Sequence, residues 1–403
     1  MRKNMGLQIA AAAMALTLAS PFAALAAGTT YTPVNGSADT FKFDKYLVMK
    51  NDANVPNYTA MFKIEAGSAI AADATKGKME VLAGPVANGA PSITGTAVFA
   101  PTDTPTAENA VPEGKTVTFS TSDVKTDEKF ATKTLGVDFS GVSFDEPGVY
   151  RYTITETSLS TDAITVDTNT SRTLDVYVID TNGTLSVDQY VLHSGTEAPN
   201  AGSDNGSADV ATAGAKLEGK STGFTNTLST QNLTFRKDVT GNQGSRDKYF
   251  KFTVKTTGLA DQDKFTVDLQ NAEATPAKTS ATTYTQMSNP NELTGQQLNA
   301  GYDFYLKDDQ EITIKGLSKK ASYTVTEAAE DYKSTAKSVE GYTDEPSGTI
   351  TTADIKTSYT NTRNGIIPTG INDQAKRGIL TVVICAAVLA VVLLGKRKKK
   401  NVQ

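Results

Sequence analysis

Short stretches in which apolar and polar residues alternate recur between Thr40 and Thr362, and such alternation predicts β-strands with one buried face. The clearest stretches are Phe41–Leu47, Val149–Thr155, Thr173–Ile179, Thr184–Leu192, Leu233–Lys237 and Tyr249–Lys255. Asn182-Gly183 separates two of them and is typical of a tight β-hairpin turn. The pattern therefore predicts an all-β chain.

Periodicity is weaker in two polar regions. Ala66–Thr116 is rich in Ala, Gly, Pro and Thr, and we expect short strands joined by long loops there. Leu269–Gly301 is mostly polar and is interpreted as one long loop.

Four sequence blocks from the first half of the chain recur in the same order in the second half. The matched blocks are Phe43-Asp44-Lys45 with Phe235-Arg236-Lys237, Met61-Phe62-Lys63-Ile64 with Phe250-Lys251-Phe252-Thr253, Tyr152-Thr153-Ile154-Thr155-Glu156 with Tyr323-Thr324-Val325-Thr326-Glu327, and Phe224-Thr225-Asn226-Thr227 with Tyr359-Thr360-Asn361-Thr362. Repetition on this scale indicates duplicated structural units. We therefore predict two tandem β-sandwich domains, residues 27–228 and 229–364, of which the first carries insertions.

Each repeat carries a lysine on its first strand, a glutamate in its middle and an asparagine on its last strand. These residues are Lys45, Glu156 and Asn226 in the first repeat, and Lys237, Glu327 and Asn361 in the second. Residues two apart on a strand share a face, so each of these polar side chains points where its apolar neighbours point, into the core. Burial lowers the pKa of a lysine and raises the pKa of a carboxyl group.

A neutral buried amine is a nucleophile, and a protonated glutamate can hydrogen-bond an asparagine side-chain carbonyl and move a proton. The three residue types together therefore predict a Lys–Asn amide bond, formed with loss of ammonia. The alternative is a buried Lys–Glu ion pair beside an unreacted asparagine. Because the full set occurs twice in the same order, we favour the covalent bond.

The beginning of the chain has the pattern of a secretory signal peptide, residues 1–26. Arg2 and Lys3 precede an apolar, alanine-rich run from Gly6 to Ala19, and Ala24-Leu25-Ala26 is a small-x-small cleavage site. We expect cleavage after Ala26 and export of the remainder.

The end of the chain combines a short motif, an apolar run and a basic tail. Ile366-Ile367-Pro368-Thr369-Gly370 precedes Gly378–Gly395, which contains no charged residue, and Lys396-Arg397-Lys398-Lys399-Lys400 follows. A helix of this length spans about 27 Å, enough to cross a bilayer core, and the basic cluster should remain cytoplasmic. A buried core helix is the less favoured alternative.

This arrangement, residues 365–403, resembles the cell-wall sorting signal of Gram-positive surface proteins, in which a Leu-Pro-x-Thr-Gly motif precedes an apolar span and a positive tail. The resemblance implies that a sortase cysteine attacks the carbonyl of Thr369 and releases the fragment that begins at Gly370. Ile366 and Ile367 stand where that motif has Leu and Pro.

Composition argues against several classes of function. The net charge of −5 gives no reason to expect nucleic-acid binding. The single cysteine, Cys385, lies in the apolar run, and the single histidine, His193, has no partner cluster in the sequence. We therefore expect no disulfide, no metal site, no cofactor and no Ser-His or Cys-His catalysis.

With these features the chain resembles the two-domain backbone pilins of Gram-positive bacteria, of the streptococcal T-antigen type. The resemblance implies immunoglobulin-like sandwiches, each closed by a self-formed Lys–Asn isopeptide bond. The implied bonds are Lys45–Asn226, assisted by Glu156, and Lys237–Asn361, assisted by Glu327. The implied function is the structural shaft of a sortase-assembled pilus, secreted and attached to the cell wall, and not a turnover enzyme. The alternative function is a monomeric wall-anchored adhesin of the same domain type.

The partners implied by the resemblance are a pilus-class sortase, other copies of the chain, minor pilins, and peptidoglycan through a housekeeping sortase. Polymerisation needs an exposed lysine that receives the acyl group of the next subunit. In similar pilins this lysine lies just upstream of the bonding asparagine, which favours Lys220, with Lys216 as the second candidate. Both lie in the glycine-flanked segment Gly214–Ser221.

Overall fold

The computed structural model of the chain describes residues 31–37, 41–87, 89–107, 127–199, 220–271, 289–336, 339–366 and 381–390. The predicted signal peptide, Lys216, Thr369 and Gly370 lie outside these residues. Of the predicted membrane span only residues 381–390 are described, and they are helical. No helix within the described ranges is both long and apolar enough to span a membrane.

In the described residues the chain consists mainly of β-strands, which confirms the all-β prediction. The strands of the first half are β1 (Val34–Asn35), β2 (Phe41–Lys50), β3 (Tyr58–Ala60), β4 (Phe62–Ala66), β5 (Leu82–Ala83), β6 (Ser92–Thr94), β7 (Ala97–Phe99), β8 (Thr106–Ala107), β9 (Glu128–Asp138), β10 (Ser143–Phe144), β11 (Gly148–Glu156), β12 (Ile164–Thr165), β13 (Ser171–Thr181), β14 (Thr184–His193) and β15 (Gly223–Leu228). The elements of the second half are β16 (Thr230–Thr240), β17 (Phe250–Thr257), β18 (Lys264–Gln270), β19 (Glu292–Thr294), α1 (Gly295–Ala300), β20 (Tyr302–Leu306), β21 (Glu311–Ser318), β22 (Ser322–Ala328), β23 (Lys333–Ala336), β24 (Ser347–Thr349) and β25 (Ile355–Thr362).

The first half folds as two packed sheets that form an immunoglobulin-like sandwich. One sheet has the strand order β12-β15-β2-β9-β6, and the other has the order β14-β13-β11-β4. The core between them includes Phe43 and Phe224 from the first sheet and Tyr152, Ile154 and Leu174 from the second. The apolar positions of the alternating pattern therefore point inward, as strand periodicity requires.

The second half forms a second sandwich. Its sheets have the orders β19-β18-β21-β16-β25-β23 and β20-β17-β22-β24. Its core includes Phe235, Phe252, Ile314, Val325 and Tyr359 and shares no residue with the core clusters of the first half. The prediction of two tandem sandwiches is therefore confirmed.

Both sandwiches pair their first long strand with their last strand in parallel, β2 with β15 and β16 with β25. Lys45 lies opposite Phe224, and Lys237 lies opposite Tyr359. In each case the asparagine of the repeat is two residues farther along the last strand. The sequence repeat therefore corresponds to the same strand pairing in the same register.

Strands β13 and β14 form the hairpin that Asn182-Gly183 predicts. Thr181 pairs with Thr184, and φ is 56° at Asn182 and 88° at Gly183. A two-residue type I′ turn requires these left-handed values at both central positions, and Asn and Gly adopt them at low cost.

The strands between residues 66 and 107 are short. β5, β6, β7 and β8 have two or three residues each. The prediction of short strands in Ala66–Thr116 is therefore confirmed for the described part of that region.

The prediction of one long loop over Leu269–Gly301 is wrong at its C-terminal end, where β19 and α1 lie. Thr294 and Gln297 form a reciprocal capping box at the start of α1. Leu293 and Leu298 are buried in the core of the second sandwich. These two leucines are the residues by which the segment packs into the core. The segment is too short to show a periodicity from which a strand and a helix could be predicted.

The two sandwiches meet at the C-terminal ends of β2 and β15. Only Ser229 separates β15 from β16. Lys50, the last residue of β2, donates to Oε1 of Gln231 at 2.7 Å, and its Nζ lies 3.7 Å from Oδ1 of Asp354. The opposite end of β15, which Lys220 precedes, therefore faces away from the second sandwich.

The end of β25 lies on the side of the second sandwich away from the first. β25 runs parallel to β16, which leads away from the junction at Ser229. After β25, the backbone N–H of Arg363 donates to the carbonyl of Thr240 at 3.1 Å. Lys220 and the residues that precede the predicted sortase motif therefore lie towards opposite ends of the two-sandwich body.

Candidate functional site

The first Lys–Glu–Asn set converges inside the first sandwich. Lys45 comes from β2 and Asn226 from its neighbour β15, whereas Glu156 ends β11 in the opposite sheet. Nζ of Lys45 lies 2.8 Å from Oε2 of Glu156, and Nδ2 of Asn226 donates to Oε1 of Glu156 at 2.7 Å. The side chains of Lys45 and Glu156 are both 0% exposed. One buried carboxylate therefore bridges the amine and the amide.

The second set converges in the same way inside the second sandwich. Lys237 and Asn361 come from the paired strands β16 and β25, and Glu327 comes from β22 in the opposite sheet. Nζ of Lys237 lies 3.0 Å from Oε1 of Glu327, and Nδ2 of Asn361 donates to the same oxygen at 2.8 Å. All six residues that the sequence singled out are thus brought together, three in each core.

Burial changes the acid–base properties of both lysines. Loss of hydration lowers the pKa of Lys45 to about 8, although the neighbouring Glu156 carboxylate opposes the shift. Burial likewise lowers the pKa of Lys237, again against the effect of Glu327. A larger fraction of each amine is therefore neutral near neutral pH than for an exposed lysine, and only a neutral amine can attack a carbonyl carbon.

Each glutamate contacts the amide nitrogen of its asparagine, so the expected hydrogen bond from a protonated glutamate to the asparagine carbonyl is not the one observed. In the first sandwich the carbonyl oxygen of Asn226 instead accepts a hydrogen bond from the backbone N–H of Asp167. A carboxylate placed between amine and amide nitrogen can take a proton from the lysine and deliver it to Nδ2, the leaving nitrogen. Each glutamate is therefore placed to move a proton, but it contacts Nδ2 of the asparagine and not the carbonyl oxygen that the sequence led us to expect.

Two further residues at the first site contact Asn226 and were not indicated by the sequence pattern. The hydroxyl of Tyr58 accepts a hydrogen bond from Nδ2 of Asn226 at 2.9 Å. The backbone N–H of Asp167 donates to Oδ1 of Asn226 at 2.9 Å. Neither residue belongs to a repeated block, and a backbone donor has no residue-type signal, so nothing in the repeat pointed to them.

The second site has different surroundings. Oγ of Ser334 donates to Oε2 of Glu327 at 3.0 Å. Oδ1 of Asn361 is buried and accepts no hydrogen bond from any described residue. The two sites therefore share the Lys, Glu and Asn side chains and differ in the hydrogen bonds around the glutamate and the amide.

Lys220 is exposed and lies just before β15. It forms a β-bridge with His193, and the backbone N–H of Ser221 donates to the carbonyl of Leu192 at 2.9 Å. The backbone at Lys220 is thus attached to the end of β14. Of the four residues predicted to act in sortase cleavage or intersubunit linkage, this is the one the structure describes.

The single histidine belongs to a buried ion cluster. Nε2 of His193 lies 3.0 Å from Oδ2 of Asp175, and Asp175 also accepts two hydrogen bonds from Arg151 at 2.7 Å. Arg151 further donates to the carbonyls of Thr196 and Glu197, so the cluster organises the chain after β14. Within the described ranges, no group of three or more His, Cys, Asp or Glu side chains is placed to hold a metal ion.

Two family models match consecutive parts of the chain. A model described as a Spy0128-like isopeptide containing domain matches residues 92–229, and a model described as a domain of unknown function matches residues 231–363. The two matches meet at the connection between β15 and β16.

A curated protein and solved structures resemble the chain over most of its length. A protein named pilin, from Streptococcus pyogenes serotype M1, is 27% identical over 357 residues, which cover 84% of this chain and 85% of that protein. The crystal structure of the major pilin from Streptococcus pyogenes is 23% identical, with 82% of this chain and 100% of that chain covered and a TM-score of 0.47. The major pilin T3.2 from Streptococcus pyogenes serotype GAS13637 is 22% identical, with 82% and 99% covered and a TM-score of 0.45.

Proposed function

We propose that this chain, a relative of the Gram-positive major pilins, is the shaft subunit of a cell-surface pilus that a sortase polymerises. The observation that carries the proposal is the pair of buried Lys–Glu–Asn sets, each between the first long strand and the last strand of a sandwich. A fibre subunit in an oxidising environment without disulfides needs another covalent link inside its domains. The similarity to a protein named pilin over 84% of the chain supports the same conclusion.

Each set is proposed to react once, during folding. The neutral amine of the lysine attacks Cγ of the asparagine, and the glutamate accepts the amine proton. The same proton passes to Nδ2, the bond between Cγ and Nδ2 breaks, and ammonia leaves. The products are the bonds Lys45–Asn226 and Lys237–Asn361, with Glu156 and Glu327 unchanged. Atoms balance without any cofactor or oxidant.

We expect the fragment Ala27–Ile366 to have a mass lower than its sequence mass by two ammonia molecules. Intact-mass spectrometry of the folded recombinant protein measures this directly. Glu156→Gln and Glu327→Gln should each restore the mass of one ammonia molecule, because each isosteric change removes one proton shuttle and leaves the other sandwich untouched. Folded wild-type protein whose mass equals the full sequence mass, with no ammonia lost, would contradict both crosslinks.

The polymer is proposed to form when a sortase joins the Thr369 carbonyl of one subunit to Nζ of Lys220 in the next, releasing the fragment that begins at Gly370. Lys220 is exposed, and its backbone is held against β14, so the acceptor amine is presented from an ordered part of the sandwich. It precedes the end of β15 that faces away from the junction, whereas β25 leads to the motif from the other sandwich. Head-to-tail joining therefore gives an extended fibre.

Replacing Lys220 with Ala should abolish the high-mass ladder that the wild-type chain gives in an immunoblot of cell-wall extract from the native host. The monomer should remain attached to the wall, because wall anchoring uses Thr369 and not Lys220. Lys42→Ala, which removes another exposed lysine of the same sandwich, is the matched control and should leave the ladder intact. A normal ladder in the Lys220→Ala and Lys216→Ala double variant would rule out this segment as the acceptor.

The same immunoblot separates the two candidate functions. A polymerising shaft gives a ladder, whereas a monomeric wall-anchored adhesin gives a single band from the wild-type chain. The partners of the proposed shaft are a pilus-class sortase, further copies of the chain, minor pilins, and peptidoglycan through a housekeeping sortase. The proposed location is the outer surface, with the mature chain attached to the cell wall.

A further inference from the structure

The two Lys–Glu–Asn sites differ at the carbonyl that is attacked. Oδ1 of Asn226 accepts a hydrogen bond of 2.9 Å from the backbone N–H of Asp167. Oδ1 of Asn361 is buried and accepts none from any residue the structure describes. When an amine adds to an amide carbon, negative charge develops on this oxygen, so the difference concerns the atom that needs stabilisation most.

The N–H of Asp167 is held in place through the side chain of the same residue. Oδ2 of Asp167 accepts from the backbone N–H of Thr225 at 2.9 Å and from the Arg172 guanidinium at 2.8 Å. Its Oδ1 accepts from the backbone N–H of Asn169 at 2.9 Å, which closes the turn. Thr225 is adjacent to Asn226, so the carboxylate ties the donor loop to the strand that carries the reacting amide.

Neighbouring contacts reinforce this attachment. β12, which ends two residues before Asp167, pairs with β15 by placing Thr165 opposite Thr227. The Arg172 guanidinium that binds Asp167 also lies over the ring of Phe224, 4.8 Å from its centroid. The donor loop is therefore attached to β15 on both sides of Asn226, and the N–H is oriented before any charge develops.

We propose that the backbone N–H of Asp167 acts as the oxyanion donor for the Lys45–Asn226 bond, and that the carboxylate of Asp167 positions it. This inference rests on the proposed function, in which that bond forms. As Nζ of Lys45 adds to Cγ, the carbonyl electron pair moves to Oδ1 and is stabilised by this N–H. The pair returns as Nδ2 departs with the proton carried by Glu156, and ammonia is released.

The comparison of the two sites gives an expected order of events. A single preorganised donor to a developing oxyanion typically changes a rate by about 10²-fold or more. The second site lacks a donor among the described residues, so the Lys45–Asn226 bond should form faster than the Lys237–Asn361 bond in the same molecule.

Refolding kinetics of the full chain test the proposal. The starting material is chain purified unfolded in denaturant, before either crosslink has formed. It is refolded by dilution, and samples are quenched at intervals and digested. The amount of each crosslinked peptide is then measured by mass spectrometry. Asp167→Pro removes the N–H and the carboxylate, whereas Asp167→Ala keeps the N–H and removes only its anchor. We expect Asp167→Pro to slow the first bond by about 10²-fold and Asp167→Ala to slow it less, with the second bond unchanged as internal reference.

The pH dependence of the first-bond rate separates stabilisation of the oxyanion from an effect of the Asp167 charge on Lys45. The midpoint of that profile reports the Lys45 amine, whose pKa the Asp167 carboxylate raises, so removing the carboxylate should move the midpoint to lower pH. Loss of the oxyanion donor should in addition lower the plateau rate. A wild-type plateau rate in both Asp167 variants, with only the midpoint displaced, would show that Asp167 acts through its charge on Lys45 and would overturn the proposal.

The outcomes separate this inference from the function on which it rests. If neither bond forms in the wild-type chain, the crosslinks themselves are wrong. If the bonds form and the first-bond rate is the same in wild type and Asp167→Pro, the role of Asp167 alone is wrong. Should Asp167→Pro fail to fold, Asp167→Ala carries the test, and a wild-type rate in that variant overturns the proposal.

Discussion

A chain that lacks only the Lys237–Asn361 bond will extend by roughly 400 Å when pulled between Lys220 and Ile366, whereas a chain that lacks only the Lys45–Asn226 bond will not extend. The expected extension follows from the 361 − 237 = 124 residues between Lys237 and Asn361, each of which spans about 3.3–3.6 Å when fully extended. The two proposed crosslinks share the same chemistry, and the strand order assigns them different mechanical roles.

The path of force through the subunit explains the asymmetry. Load that enters at Lys220 passes along the backbone of β15, through Ser229 and into β16 as far as Lys237. The proposed Lys237–Asn361 crosslink then transfers it to Asn361 and β25, which leads to the predicted sortase motif. Strands β1 to β14 lie outside this path, so we expect the proposed Lys45–Asn226 crosslink to carry no tension in a fibre joined through Lys220.

Single-molecule force spectroscopy on Ala27–Ile366 measures the expected step. Handles are attached through Lys220→Cys and Ile366→Cys in a fragment that has no native cysteine, and Ile366 is 93% exposed. The variants to compare are Glu327→Gln and Glu156→Gln, with the missing bond verified by mass before pulling.

A change of attachment point provides the matched control. With Tyr31→Cys in place of Lys220→Cys, the first crosslink joins the load path. Glu156→Gln should then extend by roughly 600 Å, from the 226 − 45 = 181 residues that Lys45–Asn226 would enclose. If the Glu156→Gln variant extends when it is pulled between Lys220→Cys and Ile366→Cys, the force does not follow this path.

Loss of either crosslink should lower the midpoint of thermal unfolding of its own sandwich by roughly 10–20 °C. Closing a loop of 124 or 181 residues contributes about 5 kcal/mol to the free energy of unfolding in the chain-entropy description. Asn361→Ala is the preferred variant, because it prevents the bond and keeps the Lys237–Glu327 ion pair. Glu327→Gln should lower the midpoint further, since it leaves the buried Lys237 amine without its carboxylate.

Calorimetry on the folded variants measures the shift, and trypsin digestion reports the same loss of stability independently. Ser334→Ala is the matched control, because Ser334 hydrogen-bonds Glu327 and takes no part in the bond. Its midpoint should change by only a few degrees, in line with one partly exposed hydrogen bond. A shift in Asn361→Ala no larger than in Ser334→Ala would contradict a covalent crosslink at this position.

The site was largely predictable because its six residues obey a local rule. Residues two apart on a strand share a face, so Lys45 had to point where Phe43 points, and Asn226 where Phe224 points. The ordered repeat then linked lysine, glutamate and asparagine without knowledge of the fold. The orientation and approximate grouping of these six side chains therefore followed from strand periodicity and the repeat alone, and both can be read directly from the amino-acid sequence.

Pairing between distant segments was decided only by the tertiary structure. Alternation does not specify that β2 and β15 run in parallel with Asn226 two residues beyond the partner of Lys45, because that register depends on contacts between residues far apart in the chain. The same holds for the contacts of Glu156 with the amide nitrogen and of the Asp167 N–H with the carbonyl. A backbone donor carries no side-chain identity, so its role emerges only when loop and strand are packed together.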